Sequence, residues 1–327
     1  MTATEEMTWN DQLDVRAHSW MPSSPCGNGC IDPRHARVGD GEFALRIAAV
    51  AGLLVTFPVL NIAAPKGWRH SLQRRYAHGL LRCCGVSLKI VDNRGCESPG
   101  PMFAPTGQGV LVVSPHIGWT DVLVLGSVQP VSFVARGDLI DWPVLGALAR
   151  KMRTIPIDRT KLRSLPSVVA KIAERISAGE RIAAFPEGTT WCGRAYGTLR
   201  PAMFQAAIDT DTAVQPVRLQ YLDPNGGLST SPCFVGDETM VQSLLRMLRS
   251  TGITAEIVLA PMEQPGTDRR DLAARCERAV RGEVRLDFEV HGVLDATQQR
   301  NAGAGAVPES VPVSSDVPDM EPAVRIA

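Results

Sequence analysis

The chain has 327 residues, 44% of them apolar and 21% charged, with 34 basic residues balanced by 34 acidic ones. That composition supplies enough apolar surface for one large or two small folded domains and excludes a wholly disordered chain. Zero net charge excludes a general polyanion binder, and no basic-aromatic pattern marks a nucleic-acid surface. Eight cysteines, at 26, 30, 83, 84, 96, 192, 233 and 276, show no small-secreted-domain framework, which points to a reducing compartment.

Residues 1–42 are polar, rich in Pro and Gly and without sustained periodicity, so a flexible leader is expected. Glu5 and Glu6 near its start, and the late first apolar run, argue against a secretory signal. Cys26 and Cys30, flanked by His18 and His35, offer four zinc ligands, although the spacing matches no standard finger. From 47 to 64 the chain is apolar, with no charge between Arg46 and Lys66. This length sits at the lower edge of a spanning helix, and Pro58 and Asn61 interrupt its second half. A membrane segment is expected here; the alternative is a buried core helix. Lys66, Arg69, Arg74, Arg75 and Arg82, with Trp68 and Tyr76, form a basic-aromatic collar suited to anionic head groups, which places the rest of the chain on the cytoplasmic face of the cell membrane. Leu72, Tyr76, Leu80 and Leu81 recur at helical spacing, so 67–83 reads as an amphipathic helix on the interface. Residues 43–85 are thus expected to be one membrane-associated helical segment.

Beyond residue 86 β and α patterns alternate. Strands are expected at 88–91, 110–113, 131–135, 154–157, 181–185, 213–220 and 255–260, and helices at 119–127, 143–151, 161–178, 200–208, 238–250 and 268–282. This predicts an α/β domain over 86–290, with a largely parallel central sheet flanked by helices and its ligands at the carboxyl ends of the strands. Residues 291–327 turn to Ala, Gly, Pro, Ser and acidic residues and are expected to be a disordered tail.

Four blocks follow strands. The first is Ser114-Pro115-His116-Ile117-Gly118-Trp119-Thr120-Asp121. Residues five apart on a helix are rotated by about 140°, so His116 and Asp121 meet only if His116 lies in the turn and Asp121 in the first helical turn, with Thr120 or Ser114 available for capping. A carboxylate folded back on the imidazole holds one ring nitrogen protonated and leaves the other to take a proton from a hydroxyl. The second block runs from Arg136-Gly137-Asp138 to Asp158-Arg159, whose guanidiniums can fork a phosphate or carboxylate; a surface ion pair is the plainer alternative. In the third, Phe185-Pro186-Glu187-Gly188-Thr189-Thr190, Pro imposes a turn that is expected to set Glu187 at the mouth of the site, with close backbone approach at Gly188 and hydroxyl donors after it. The fourth, Val214-Gln215-Pro216-Val217, reads as an edge strand or a bulge, because Pro cannot donate to a ladder.

In order and spacing these blocks resemble the motifs of the lysophospholipid acyltransferase family, over roughly residues 45–285. The resemblance implies an N-terminal helical membrane segment leaning on an α/β domain. It also implies transfer of an acyl group from acyl-CoA or acyl carrier protein to the free hydroxyl of 1-acyl-sn-glycerol-3-phosphate, giving phosphatidic acid. His116 would be the general base and Asp121 its orienter, while Arg159, Glu187, Gly188, Thr189 and Thr190, with Arg136, would hold the acceptor. No metal and no cofactor beyond the thioester co-substrate are implied. The chain departs from the family where the third block's usual Gly-Thr-Arg reads Gly188-Thr189-Thr190. A charge-assisted bond to phosphate is worth roughly 1.5–3 kcal/mol, so either Arg194 or Arg200 replaces it or the acceptor is another lyso-lipid, such as lyso-ornithine lipid, whose acyltransferases resemble this Thr-Thr form. No Gly-x-Ser-x-Gly elbow supports a serine hydrolase, and no Gly-x-Gly-x-x-Gly supports a dinucleotide enzyme. A non-catalytic membrane lipid-binding protein is the remaining alternative, and the intact His116 and Asp121 stand against it.

Overall fold

The computed structural model describes residues 24, 26–32, 36–95, 100–138, 143–158 and 161–282. Arg159, the proposed ligands His18 and His35, and the tail at 291–327 lie outside the described residues. Two helices come first, α1 (Asp40–Ala63) and α2 (Lys66–Cys83), then β1 (Val86–Asp92), β2 (Val110–Val113), α3 (Thr120–Val128), β3 (Ser132–Arg136), α4 (Pro143–Lys151) and β4 (Ile155–Ile157). The chain continues through α5 (Leu165–Ser177), β5 (Arg181–Ala184), α6 (Gln205–Asp209), β6 (Val214–Leu222), α7 (Met240–Arg249), β7 (Ile253–Leu259) and α8 (Arg269–Arg281). All seven expected strands are present, and the expected helices differ mainly at their ends.

The strands form one sheet in the order β1-β7-β6-β2-β5-β3-β4. Every pairing is parallel except β6 with β7. Period-two alternation builds a core on each face. Val110 and Val112 join Val124 and Leu125 of α3 and Met247 of α7 on one side; Leu111 and Val113 join Ile172 and Ile176 of α5 and Leu272 and Cys276 of α8 on the other. Both faces are covered, so β2 reads in sequence as an unbroken apolar run. Because β2, β5, β3 and β4 are neighbours and parallel, the segments that follow them emerge along one edge of the sheet.

Pro216 corrects the expectation of an edge or bulge. It lies in β6, near the middle of the sheet, at the point where the ladder changes partner: 214–216 pair with β2, while 217–222 pair with β7. A missing N–H is tolerated at such a handover. The Pro216 carbonyl still accepts from Ala260 N (3.2 Å) and from the Gln215 side chain (2.8 Å), which also reaches Ala260 O.

The leader also differs from expectation wherever it is described. Val38 N–H donates to Arg249 O (2.9 Å), Thr251 N–H to Ala36 O (3.1 Å), and Asp32 N–H to Thr230 Oγ1 (2.9 Å). Residues 26–32 and 36–39 are docked, because the loops flanking α7 satisfy their backbone groups.

Candidate active site

After Val113 the chain turns through residues 114–119 and enters α3 at Thr120. Two backbone bonds hold this turn: Phe234 N–H donates to Ile117 O (2.9 Å) and Trp191 N–H to His116 O (2.8 Å). Gly118 is required by close approach, since a Cβ there would stand 2.2 Å from Pro232 O. His116 therefore lies in the turn and Asp121 in the first turn of α3, with His116 Nδ1 2.9 Å from Asp121 Oδ2.

Asp121 is fully buried. Its Oδ2 also accepts the N–H groups of Ile117 (2.7 Å) and Gly118 (3.0 Å), and its Oδ1 accepts the Tyr221 hydroxyl (2.8 Å). With that proton committed, Thr120 Oγ1 donates to the Tyr221 oxygen, 2.8 Å away. Burial, with the charge on Asp121 adding to it, pushes the Tyr221 phenol well above its ordinary value, so it remains a donor. The carboxylate is desolvated but fully partnered, the condition under which a buried charge is tolerated. Since a carboxylate only accepts, the proton of a neutral His116 sits on Nδ1 and the Nε2 lone pair is left for another proton. The imidazole stacks on Phe185, with ring centroids 4.1 Å apart and planes 10° apart, and Phe185 stacks in turn on Phe133. The His116 side chain keeps 18% of its surface exposed, so a reactant can reach it.

Neither expected cap is used. The Thr120 hydroxyl goes to Tyr221, and Ser114 Oγ is buried without a partner among the described residues. Asp121 itself takes the N–H groups that precede α3.

A family profile described as Acyltransferase matches residues 97–220. A lyso-ornithine lipid O-acyltransferase of Pseudomonas aeruginosa is 32% identical over 196 residues, which are 60% of this chain and 73% of the relative. Another, of Brucella abortus, is 30% identical over 266 residues, 75% of this chain and 94% of the relative. A 1-acyl-sn-glycerol-3-phosphate acyltransferase of Neisseria gonorrhoeae is 30% identical over 185 residues, 56% and 72% respectively. The chain belongs to the lysophospholipid acyltransferase family. It is an acyltransferase, and the family's acceptors are lyso-lipids.

Within this acyltransferase the other expected site residues divide. Glu187 is not at the mouth; it is buried, only 4% exposed, and its Oε2 accepts the N–H of His116 at 2.8 Å. The turn after β5 aims the carboxyl inward, where the backbone leaving β2 needs an acceptor. Gly188 N–H closes that turn on Phe185 O (3.0 Å). Thr189 is half-buried, and its hydroxyl has no hydrogen bond among the described residues. Thr190 donates its hydroxyl to Phe234 O, tying the turn to the segment before α7. Arg136, at the end of β3, pairs with Asp138 (2.8 Å). Arg200 N–H donates to Pro186 O (3.0 Å), and its guanidinium is half-buried. Arg194 forms no hydrogen bond or ion pair among the described residues and is half-buried. Tyr221 and the inward role of Glu187 escaped sequence reasoning.

Burial lifts the Glu187 carboxyl to about 8, and the charge on Asp121 adds to the rise; the His116 N–H and the Arg281 guanidinium pull the other way without prevailing. A raised carboxyl stabilises the fold in its protonated form. Its contribution is complete below the unfolded value of 4.5 and is lost as pH rises through about 8. Glu187→Gln mimics the neutral form and is expected to remove this term, which is on the order of a few kcal/mol. Thermal unfolding from pH 5 to pH 9 checks it: wild type should lose stability relative to the variant as pH rises, and parallel curves would refute the assignment.

Proposed function

We propose that this chain is a membrane-bound O-acyltransferase that moves an acyl group from a thioester, acyl-CoA or acyl carrier protein, to the hydroxyl of a lyso-lipid, with His116 as general base. The observation that carries this is the 2.9 Å contact between His116 Nδ1 and the buried Asp121 carboxylate. Nε2 takes the hydroxyl proton as the oxygen attacks the thioester carbonyl. The tetrahedral adduct then collapses, and the imidazolium returns the proton to the departing thiolate. Asp121 stabilises the charged ring meanwhile, and Tyr221 and Glu187 act as positioning residues. A thioester is reactive enough for direct attack, so no enzyme nucleophile is required.

For the acceptor we favour lyso-ornithine lipid over 1-acyl-sn-glycerol-3-phosphate. Thr190 stands where the family's commonest motif carries an arginine, and its hydroxyl is committed to Phe234 O rather than offered to a phosphate. Two relatives that share 73% and 94% of their length with this chain are named for lyso-ornithine lipid. An amino-acid head group presents a carboxylate and an ammonium, and needs no phosphate clamp. Arg194 keeps the glycerophosphate reading in contention, because its charge is uncommitted within the described structure. Purified protein offered both acceptors with one thioester donor should acylate lyso-ornithine lipid about tenfold faster or more; the opposite preference, abolished by Arg194→Ala, would install the second reading.

Attachment is proposed to run through α1 and α2 as a hairpin in one leaflet. The 24 residues of α1 extend about 36 Å, long enough to span, and its apolar window is not buried in the protein. However, α2 folds back along it: Tyr76 OH donates to Thr56 Oγ1 (2.8 Å), Gln73 Nε2 to Asn61 Oδ1 (3.3 Å), and Lys151 Nζ from α4 reaches Pro58 O (3.2 Å). A perpendicular span would drag these polar groups and the exposed Arg75 and Arg82 into hydrocarbon. Those arginines suit an anionic cytoplasmic leaflet. Val55, Val59 and Ile62 share one face of α1 and are 71%, 64% and 70% exposed. Replacing all three by Glu should shift the protein from liposome-bound to soluble in flotation; a variant that still floats would place the attachment elsewhere.

A further inference from the structure

Cysteines from three distant parts of the chain converge beside the His116 turn. Cys26 and Cys30 flank a short turn of the leader that is closed by Cys30 N–H donating to Gly27 O (2.9 Å). Cys192 follows Trp191 in the loop after β5. The sulfurs of these three residues all lie within 4.8 Å of one another, and both Cys26 and Cys192 are buried. Four thiolates bound tetrahedrally to zinc at about 2.3 Å stand about 3.8 Å apart, so small side-chain rotations bring the three to ligand spacing. Cys233, fully buried, lies in the segment before α7, whose next residue, Phe234, accepts the Thr190 hydroxyl from the loop that carries Cys192.

We propose that Cys26, Cys30 and Cys192 bind a zinc ion, with Cys233 completing a four-sulfur site that staples the leader onto the active-site loops. Cys192 and Cys233 thereby take the places that the sequence pattern offered to His18 and His35. The surroundings are built for it. Gly236, at φ +69°, approaches the leader turn so closely that a Cβ would stand 2.6 Å from Asn28 Oδ1, and Asp32 N–H is held by Thr230 Oγ1, so the Cys26 and Cys30 turn is fixed against the segment carrying Cys233. Arg246, itself ion-paired with Glu238, bonds the carbonyls of Cys233 (2.6 Å) and Ser231 (3.0 Å) and so holds the segment that carries Cys233 in place. Both loops also touch the catalytic turn, through Trp191 N–H to His116 O and Phe234 N–H to Ile117 O. The metal would fix these two loops and take no part in acyl transfer.

The test uses the full chain purified in detergent without chelator. Elemental analysis should give about one zinc per chain. Cobalt added to the stripped protein should produce thiolate-to-metal charge-transfer absorption and the intense visible bands of a tetrahedral site. Cys192→Ser and the double variant Cys26→Ser/Cys30→Ser should each lower retained zinc about tenfold or more at equal chelator concentration. Should those variants fail to fold, the wild-type metal content and cobalt spectrum decide alone. Wild type without stoichiometric zinc and without the cobalt charge-transfer band overturns the proposal, as does the loss of two titratable thiols to a disulfide between Cys26 and Cys192. Neither readout depends on acyl transfer, so failure here leaves the assignment of His116 untouched.

Discussion

His116→Ala is expected to lower the rate of acyl transfer about 10²–10⁴-fold, the usual worth of a positioned general base, while changing the KM for the thioester little. The split follows from position. The imidazole is fixed by Asp121 and stacked on Phe185, and its Nε2 is the group left to handle a proton. Initial rates with a saturating lyso-lipid acceptor are the measurement, with circular dichroism to confirm folding. A variant that keeps more than about a third of wild-type rate would mean that some other group removes the hydroxyl proton.

The second large effect separates the charge of Asp121 from its hydrogen bonds. Asp121→Asn can keep the geometry: the amide oxygen faces His116, Ile117 and Gly118, and the amide N–H₂ faces Tyr221, whose hydroxyl then reverses to donate to Thr120 Oγ1. Loss of the negative charge leaves the imidazolium unsupported, and a fall in kcat on the order of 10²–10⁴ is expected with little loss of stability. Asp121→Ala strands two buried backbone N–H groups and the Tyr221 hydroxyl. Each such group costs about 1–3 kcal/mol, so this variant should also melt well below wild type. Tyr221→Phe should fall between them, losing some stability and some activity. Equal rates for wild type and Asp121→Asn would remove the charge from the mechanism and leave Asp121 a structural cap.

Much of the architecture was legible because it rests on local pattern. Val110 to Val113 and the other strand runs carry their burial in composition, and the helices between them impose parallel pairing. The His116 and Asp121 geometry followed from their spacing together with the strand end and the break at Pro115, which put one residue in the turn and the other in the helix. What escaped depends on contacts between distant residues. Tyr221 is an ordinary aromatic in a strand until β6 brings it under α3. Glu187 was expected at the mouth of the site, holding the acceptor, because its acceptor role toward His116 N–H has no local signature. Pro216 was misplaced because the rule against Pro in a central strand assumes one partner along each side, and β6 changes its partner at that residue.

That change of partner has a bearing on how the enzyme comes into being. Beyond Pro216 the free side of β6 and the whole length of β1 are both satisfied by β7, whose residues 253–259 are made after every block of the site. Tyr221 sits in this late-paired half, yet its hydroxyl completes the shell around Asp121. A nascent chain therefore holds His116, Glu187 and Thr190 before it holds a settled Tyr221, and the shell is finished only when the far end of the domain closes the sheet. The order of the Asp121 shell is in this way tied to the arrival of β7, and a chain truncated before that strand is expected to carry every motif of the family without the partner that steadies Tyr221.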